Sequence, residues 1–178
     1  SGGEKIFIMP DRCPSCSSPL IKLPDEAVYR CVNMTCPAQK KERIKHFCSR
    51  RAMNIDGLGV KIINQLVDLG IVETAADIYS IPFETWARLD RMAEKSAENM
   101  MRAIQKSKSS GLERLIYALG IRHVGEHTSK LLVRHLGSID GIRNASRDRL
   151  LAINEIGPEV TESVTVFFNT YDNNTIIE

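Results

Sequence analysis

The sequence predicts a mainly α fold in which a small four-cysteine finger precedes an all-helical domain of four repeats. Three observations predict it. Four cysteines form two short-spaced pairs within the first 36 residues, one five-residue pattern occurs four times, and the apolar residues between its occurrences keep helical spacing. A length of 178 residues suits one medium domain or two small ones, and with only 6% aromatic residues the core must be aliphatic. No apolar run approaches the roughly 18 residues that span a bilayer. No export signal is visible either, so a cytoplasmic protein without a membrane partner is expected.

The finger comes first. Cys13, Cys16, Cys31 and Cys36 are spaced C-x2-C-x14-C-x4-C. Two thiolate pairs brought together by a turn supply the four tetrahedral ligands of zinc, and four thiolates leave no open position for catalysis. One structural zinc, held over residues 11–37, is therefore expected. Leu20 to Arg30 can form a small hairpin, but its apolar content is too low to fold unaided, so the metal would supply much of the stability. Two disulfides are the alternative, opposed by the fifth cysteine, Cys48, and by the missing export signal. A redox Cys-x-x-Cys would leave Cys31 and Cys36 unexplained. Cys48, beside Phe47 and near Met53, reads as a packed core thiol.

The repeats follow. Ile55-Asp56-Gly57-Leu58-Gly59, Leu89-Asp90-Arg91-Met92-Ala93, Ile121-Arg122-His123-Val124-Gly125 and Ile153-Asn154-Glu155-Ile156-Gly157 align, their last residues 34, 32 and 32 apart. Position one is aliphatic, position four apolar, and position five Gly or Ala. Four residues beyond position five stand Ile63, Ala97, Ser129 and Thr161, and seven beyond it Leu66, Met100, Leu132 and Val164. Those offsets share one helix face. In the second repeat Ala97, Met100, Met101 and Ile104 form an apolar stripe. Each unit thus reads as helix, tight turn, helix: a helix-hairpin-helix motif.

Such a turn has a chemical use. Glycine permits positive φ and close approach of a ligand to the backbone. The amides that open the second helix have no intrahelical acceptor and carry the positive end of its dipole, which suits a phosphate oxygen. Backbone amides on phosphates carry no base code, so binding of duplex DNA would be independent of sequence. The candidate contacts are Gly57, Gly59, Gly125, Gly157, Ser96 and His123, with Arg51, Lys61, Lys95 and Arg122 near the helix starts. Glu155 would repel a phosphate unless it turns away, which makes the fourth turn the weakest. An ordinary packing hairpin, in a protein-interaction scaffold, is the bland alternative for any one repeat.

The remaining segments complete a helical body. Residues 38–53 read as a basic helix, with Ile44, Phe47, Cys48 and Met53 on its apolar side. Residues 77–79 and 83–89 read as short connecting helices. Leu112 to Leu119 is helical and ends at Gly120, a C-cap. Tyr79 and Trp86 read as core. Charge is uneven: residues 1–54 hold 10 Lys/Arg against 5 Asp/Glu, residues 55–178 hold 14 against 17. The excess lies at Lys40, Lys41, Arg43, Lys45, Arg50 and Arg51, and both a phosphate-facing surface and a solvated helix face fit it.

A four-cysteine finger followed by four such hairpins resembles the C-terminal half of the bacterial NAD-dependent DNA ligases. Cys-Pro-Ser-Cys (13–16), Cys31 and Cys36 carry the likeness. So do the stretches from His46 to Met53, Ile55 to Gly59, Lys95 to Asn99 and Tyr117 to Glu126. The resemblance implies a parent enzyme that adenylates a lysine from NAD, with magnesium, and seals nicks in replication and repair. Its Lys-x-Asp-Gly motif does not occur in this sequence. By the same likeness residues 1–10 end an oligonucleotide-binding barrel or form a linker, 38–172 are the hairpin domain, and 173–178 lead toward a BRCT domain. The partners it implies are nicked duplex DNA and the other ligase domains, in a nucleoid-associated cytoplasmic protein. Cys48 and His123 depart from the family pattern, in which a small apolar residue and Glu are usual. A hairpin module of another repair or junction-processing protein is the alternative.

Overall fold

The computed structural model describes residues 9–22, 27–33, 35–170, 173 and 177. The barrel remnant expected before residue 9, and most of the tail expected to lead out of the hairpin domain, lie outside those residues.

The finger contains one antiparallel pair, β1 (Leu20–Ile21) with β2 (Arg30–Cys31), in register Leu20 to Cys31 and Ile21 to Arg30. The helix α1 (Pro37–Cys48) starts at Pro37, where the absent N–H costs nothing, directly after Cys36. It ends earlier than its apolar spacing predicts. From Ser49 the chain turns, Asn54 adopts φ 51°, and the amides of Met53 and Ile55 return to the carbonyls of Phe47 and Cys48. A partner distant in sequence holds this turn: Arg114 donates to the carbonyls of Ala52 and Arg50.

The rest of the body is α2 (Val60–Asp68), a 3₁₀ turn (Ala76–Ser80), α3 (Phe83–Ala87), α4 (Glu94–Ser107), α5 (Leu112–Ala118), α6 (Glu126–Leu136), α7 (Ile139–Arg143), α8 (Arg147–Leu151) and α9 (Pro158–Asn169). None of the described helices is long and apolar enough to cross a membrane. Among the packed pairs, α1 lies against α2, α3 against α4, α5 against α6, α6 against α7, and α8 against α9.

The body has two cores. The first gathers Ile44, Phe47, Cys48, Ile63, Leu66 and Trp86 from α1 to α4. The second gathers Ile116, Leu132, Ile142, Leu150, Val164 and Phe168 from α5 to α9. The helix α5 serves both: Ala118 belongs to the first core and Ile116 to the second. Trp86 is fully buried, and Tyr79 is half-buried with its hydroxyl 3.0 Å from the Ser107 hydroxyl.

A further sequence expectation needs correction. Met101 does not belong to the buried stripe of α4, which consists of Ala97, Met100, Ile104 and Ser107. Met101 is 36% exposed, because the 100° step from Met100 carries it off the core face. The charge of the basic helix, for which both a phosphate-facing and a solvated reading stand open, also serves a third end. Lys41 lies 2.6 Å from Asp68 of α2 and Lys40 pairs with Glu73, so two of its cations fasten α1 to the body.

Candidate metal centre and nucleic-acid interface

The four predicted ligands meet. Cys13 and Cys36 sulfurs are 3.8 Å apart, those of Cys16 and Cys31 3.5 Å, and all four lie within 4.8 Å of one another. A tetrahedral zinc with Zn–S near 2.3 Å requires S···S separations of about 3.8 Å, so the cluster fits the ion. All five cysteines are free thiols, which removes the disulfide alternative. Local geometry builds the knuckle: Ser17 adopts φ 59° and its amide donates to the Cys13 carbonyl at 2.8 Å.

The four thiols differ in their electrostatics. Hydrogen bonds from the Ser18 side chain and backbone lower the Cys16 thiol to about 6. The amides of Gln39 and Ala38, at the open end of α1, lower Cys36. Cys31 is pushed up to about 12: the Asn33 amide lowers it, but desolvation and the neighbouring sulfurs together outweigh that interaction. Without a metal the cluster thus holds its protons unequally. A doubly charged ion is what allows four thiolates at once. Cys48 stands apart from this chemistry, 5% exposed in the first core, its thiol pushed up to about 12 by burial.

The turns share one backbone geometry. Position three lies in the left-handed region each time: Gly57 at φ 85°, Arg91 at 59°, His123 at 61° and Glu155 at 69°. The amide of position four donates to the carbonyl of position one in every turn, at 3.3, 3.1, 3.0 and 3.1 Å. Position five is the N-cap of the following helix each time: Gly59, Ala93, Gly125 and Gly157, all with extended backbone. Positive φ therefore belongs to position three, where only the first turn has glycine. Glycine at position five has another basis. A Cβ on Gly59, Gly125 or Gly157 would meet nothing within 4 Å, so nothing inside the protein demands glycine there.

The residues after each turn hold it against the cores. Ile63, Ala97, Ser129 and Thr161 are buried, as are Leu66, Met100, Leu132 and Val164. The amides of Ile63, Ala97, Ser129 and Thr161 close the first helical bond onto position five. The Ser96 amide also donates to the Ala93 carbonyl at 2.8 Å and the Gly59 amide to the Gly57 carbonyl at 2.9 Å, and no side chain caps any of these four helices. Among the described residues the side-chain caps are Ser138 on α7 and Ser146 on α8, neither of which follows such a turn.

Several candidate DNA-binding residues converge. Gly57, Gly59, Lys61 and Ser96 line one open groove of about 1560 Å³ between the first and second turns. Arg88, Arg91 and Arg102 line it too, and none of the three stands among the residues expected from sequence. Arg91 was detectable, since it occupies position three; Arg88 and Arg102 carry no local signal. Lys95 is exposed at the start of α4. Arg122, His123 and Gly125 are exposed at the third turn.

Arg51 belongs with them, its guanidinium 3.5 Å from Glu126, the first residue of α6. Gly157 lies at the fourth turn, where Glu155 is held 3.2 Å from His127 of α6. In the first turn the Asp56 carboxylate takes the Gly57 amide at 3.1 Å, so an incoming anion would have to displace it.

Residues 12–38 match the model of the NAD-dependent DNA ligase C4 zinc finger domain, and residues 114–177 that of the helix-hairpin-helix motif. The second match covers the third and fourth turns; the first and second turns share their geometry outside it. Over 173 residues, 97% of the chain, the sequence is 50% identical to the DNA ligase of Geobacter metallireducens, of which it spans 26%.

Proposed function

We propose that this chain, which belongs to the NAD-dependent DNA ligase family, is a part that grips duplex DNA through its hairpin turns, independently of base sequence. One observation carries the reading. Turns of one backbone geometry end in N-caps that no side chain caps and where a Cβ would meet only open space. Amides so presented suit phosphate oxygens, and the basic residues around them, Arg51, Lys61, Lys95 and Arg122, add counter-charge. The finger would hold one structural zinc on Cys13, Cys16, Cys31 and Cys36, closed to substrate, and through Cys36 it anchors the start of α1. In the longer protein, NAD and magnesium would serve the ligation chemistry in other domains, while this part clamps a nicked duplex so that its ends stay aligned. A cytoplasmic location at the nucleoid follows from that reading.

Gly59→Val and Gly125→Val test it. Both positions have ordinary φ and open space, so the fold should lose only about 1 kcal/mol. Affinity for a nicked duplex should fall at least tenfold in the double variant. The plot of log K against log salt should flatten by about one unit for each phosphate no longer engaged. Unchanged affinity in a folded double variant rejects the reading.

A further inference from the structure

The two cores raise a mechanical question. Phosphates along a duplex have a fixed spacing, so turns carried by separate cores act together only if the cores are held in register. The described polar links between them are few and concentrated on α5. The Arg114 side chain donates from Nε to the Ala52 carbonyl at 2.7 Å and from a terminal nitrogen to the Arg50 carbonyl at 2.5 Å. His46 Nε2 lies 2.8 Å from the Tyr117 carbonyl, and its ring meets the Tyr117 ring edge-on at 4.8 Å. Arg51 reaches Glu126 at 3.5 Å from the other side of the same junction.

The placement of these links matters more than their number. Arg50 and Ala52 belong to the turn that leads from α1 into Ile55–Gly59. Arg114 and Tyr117 belong to the helix that leads, through Gly120 at φ 66°, into Ile121–Gly125. One guanidinium therefore ties the approach of the first turn to the approach of the third. Its two donors form a planar fork, which sets direction as well as distance; an ammonium in its place would set only distance.

We infer that Arg114 and His46 are positioning residues, holding the turns of the two cores at one spacing so that both engage the same duplex. The inference rests on the proposed DNA-binding reading. Two linked binding elements gain affinity through effective concentration, and a loose link forfeits that gain without altering either element.

The test is a cycle of variants read by anisotropy of a labelled nicked duplex. Arg114→Met combined with His46→Phe should lower affinity about tenfold when the turns of both cores are intact. In a Gly125→Val background, where the best turn of the second core is already disabled, the same pair should change affinity less than twofold. Equal reductions in both backgrounds, or none in either, overturn the inference. Arg114→Lys keeps the charge but not the fork; it should forfeit most of the same gain, and full recovery with lysine means that charge alone mattered.

Residual dipolar couplings give the second readout. One alignment tensor should fit both cores in the parent protein and two should be needed in the variant, with Trp86 fluorescence confirming that the first core stays folded. A variant still fitted by one tensor overturns the joint itself. A parent that shows one tensor but binds no duplex overturns the DNA-binding reading, and the inference with it. If Arg114→Met does not fold, His46→Phe alone, which keeps the ring and removes one bond, is measured in the same cycle.

Discussion

In the finger, Cys13 and Cys36 are buried, while Ile21, Val28 and Val32 are 45–57% exposed. In the body, side chains such as Leu66, Ile78, Trp86, Ile116 and Leu132 are fully buried, in two separate clusters. The same chain therefore uses two sources of order. A segment with almost no apolar surface to bury depends on four sulfurs and the ion they fit. A segment with aliphatic residues at helical spacing folds by removing them from water. Cys36 joins the two, being a sulfur of the cluster and the residue that precedes α1.

The largest test of this contrast is metal removal. Structural zinc contributes on the order of 10–16 kcal/mol of apparent binding free energy in finger peptides. A strong chelator should therefore abolish amide protection over residues 11–33 while helical circular dichroism changes little. Four thiols should then react rapidly, whereas Cys48, in the first core, should react only on global unfolding. A fifth fast thiol, or disappearance of the helices on chelation, would break the contrast.

The reciprocal experiment empties the cores. Leu66→Ala and Leu132→Ala, each at a fully buried position, should each cost about 2–5 kcal/mol in denaturant titrations and leave one zinc per chain. Release of the metal from either variant would show that finger and body fold as one unit.

A subtler test uses alkaline pH. Burial raises the Cys48 thiol to about 12, above its ordinary 9.0, so the folded state holds this proton more tightly than the unfolded state. The stability this provides is complete below pH 9 and is lost as pH rises from about 9 to about 12. The slope approaches about 1.4 kcal/mol per pH unit at most. Cys48→Ala should show a flatter decline over that range; identical declines would place the titrating group elsewhere.

The smallest effect separates capped from open helices. Ser138→Ala and Ser146→Ala remove bonds to the amides of Gly141 and Arg149, which should cost about 1 kcal/mol each and leave duplex affinity unchanged. A drop in affinity comparable to that of Gly125→Val would erase the distinction drawn between the two kinds of helix start.

Legibility followed the range of the interactions. The metal cluster could be read because ligand spacing within a knuckle is a local property of the chain. The faces presented by Ile63, Ala97, Ser129 and Thr161 could be read because a helix repeats every 3.6 residues. The same period, applied too generously, wrongly included Met101. The positive φ of Arg91, His123 and Glu155 was hidden, since a side chain at position three conceals a conformation that glycine would have advertised. Nothing local announces that Arg114 reaches carbonyls 62 and 64 residues away.

The sequence by itself determined which sulfurs form the metal cluster, where the turns fall and which residues bury beneath them, because each depends on neighbours a few positions apart. Only the tertiary structure decided where the charges go. It assigned Lys40 and Lys41 to Glu73 and Asp68, moved Arg51 to the start of α6, and turned Glu155 toward His127. A long charged side chain samples many directions, and its partner is whichever opposite charge packing brings within reach. That choice belongs to the arrangement of helices rather than to the residues on either side.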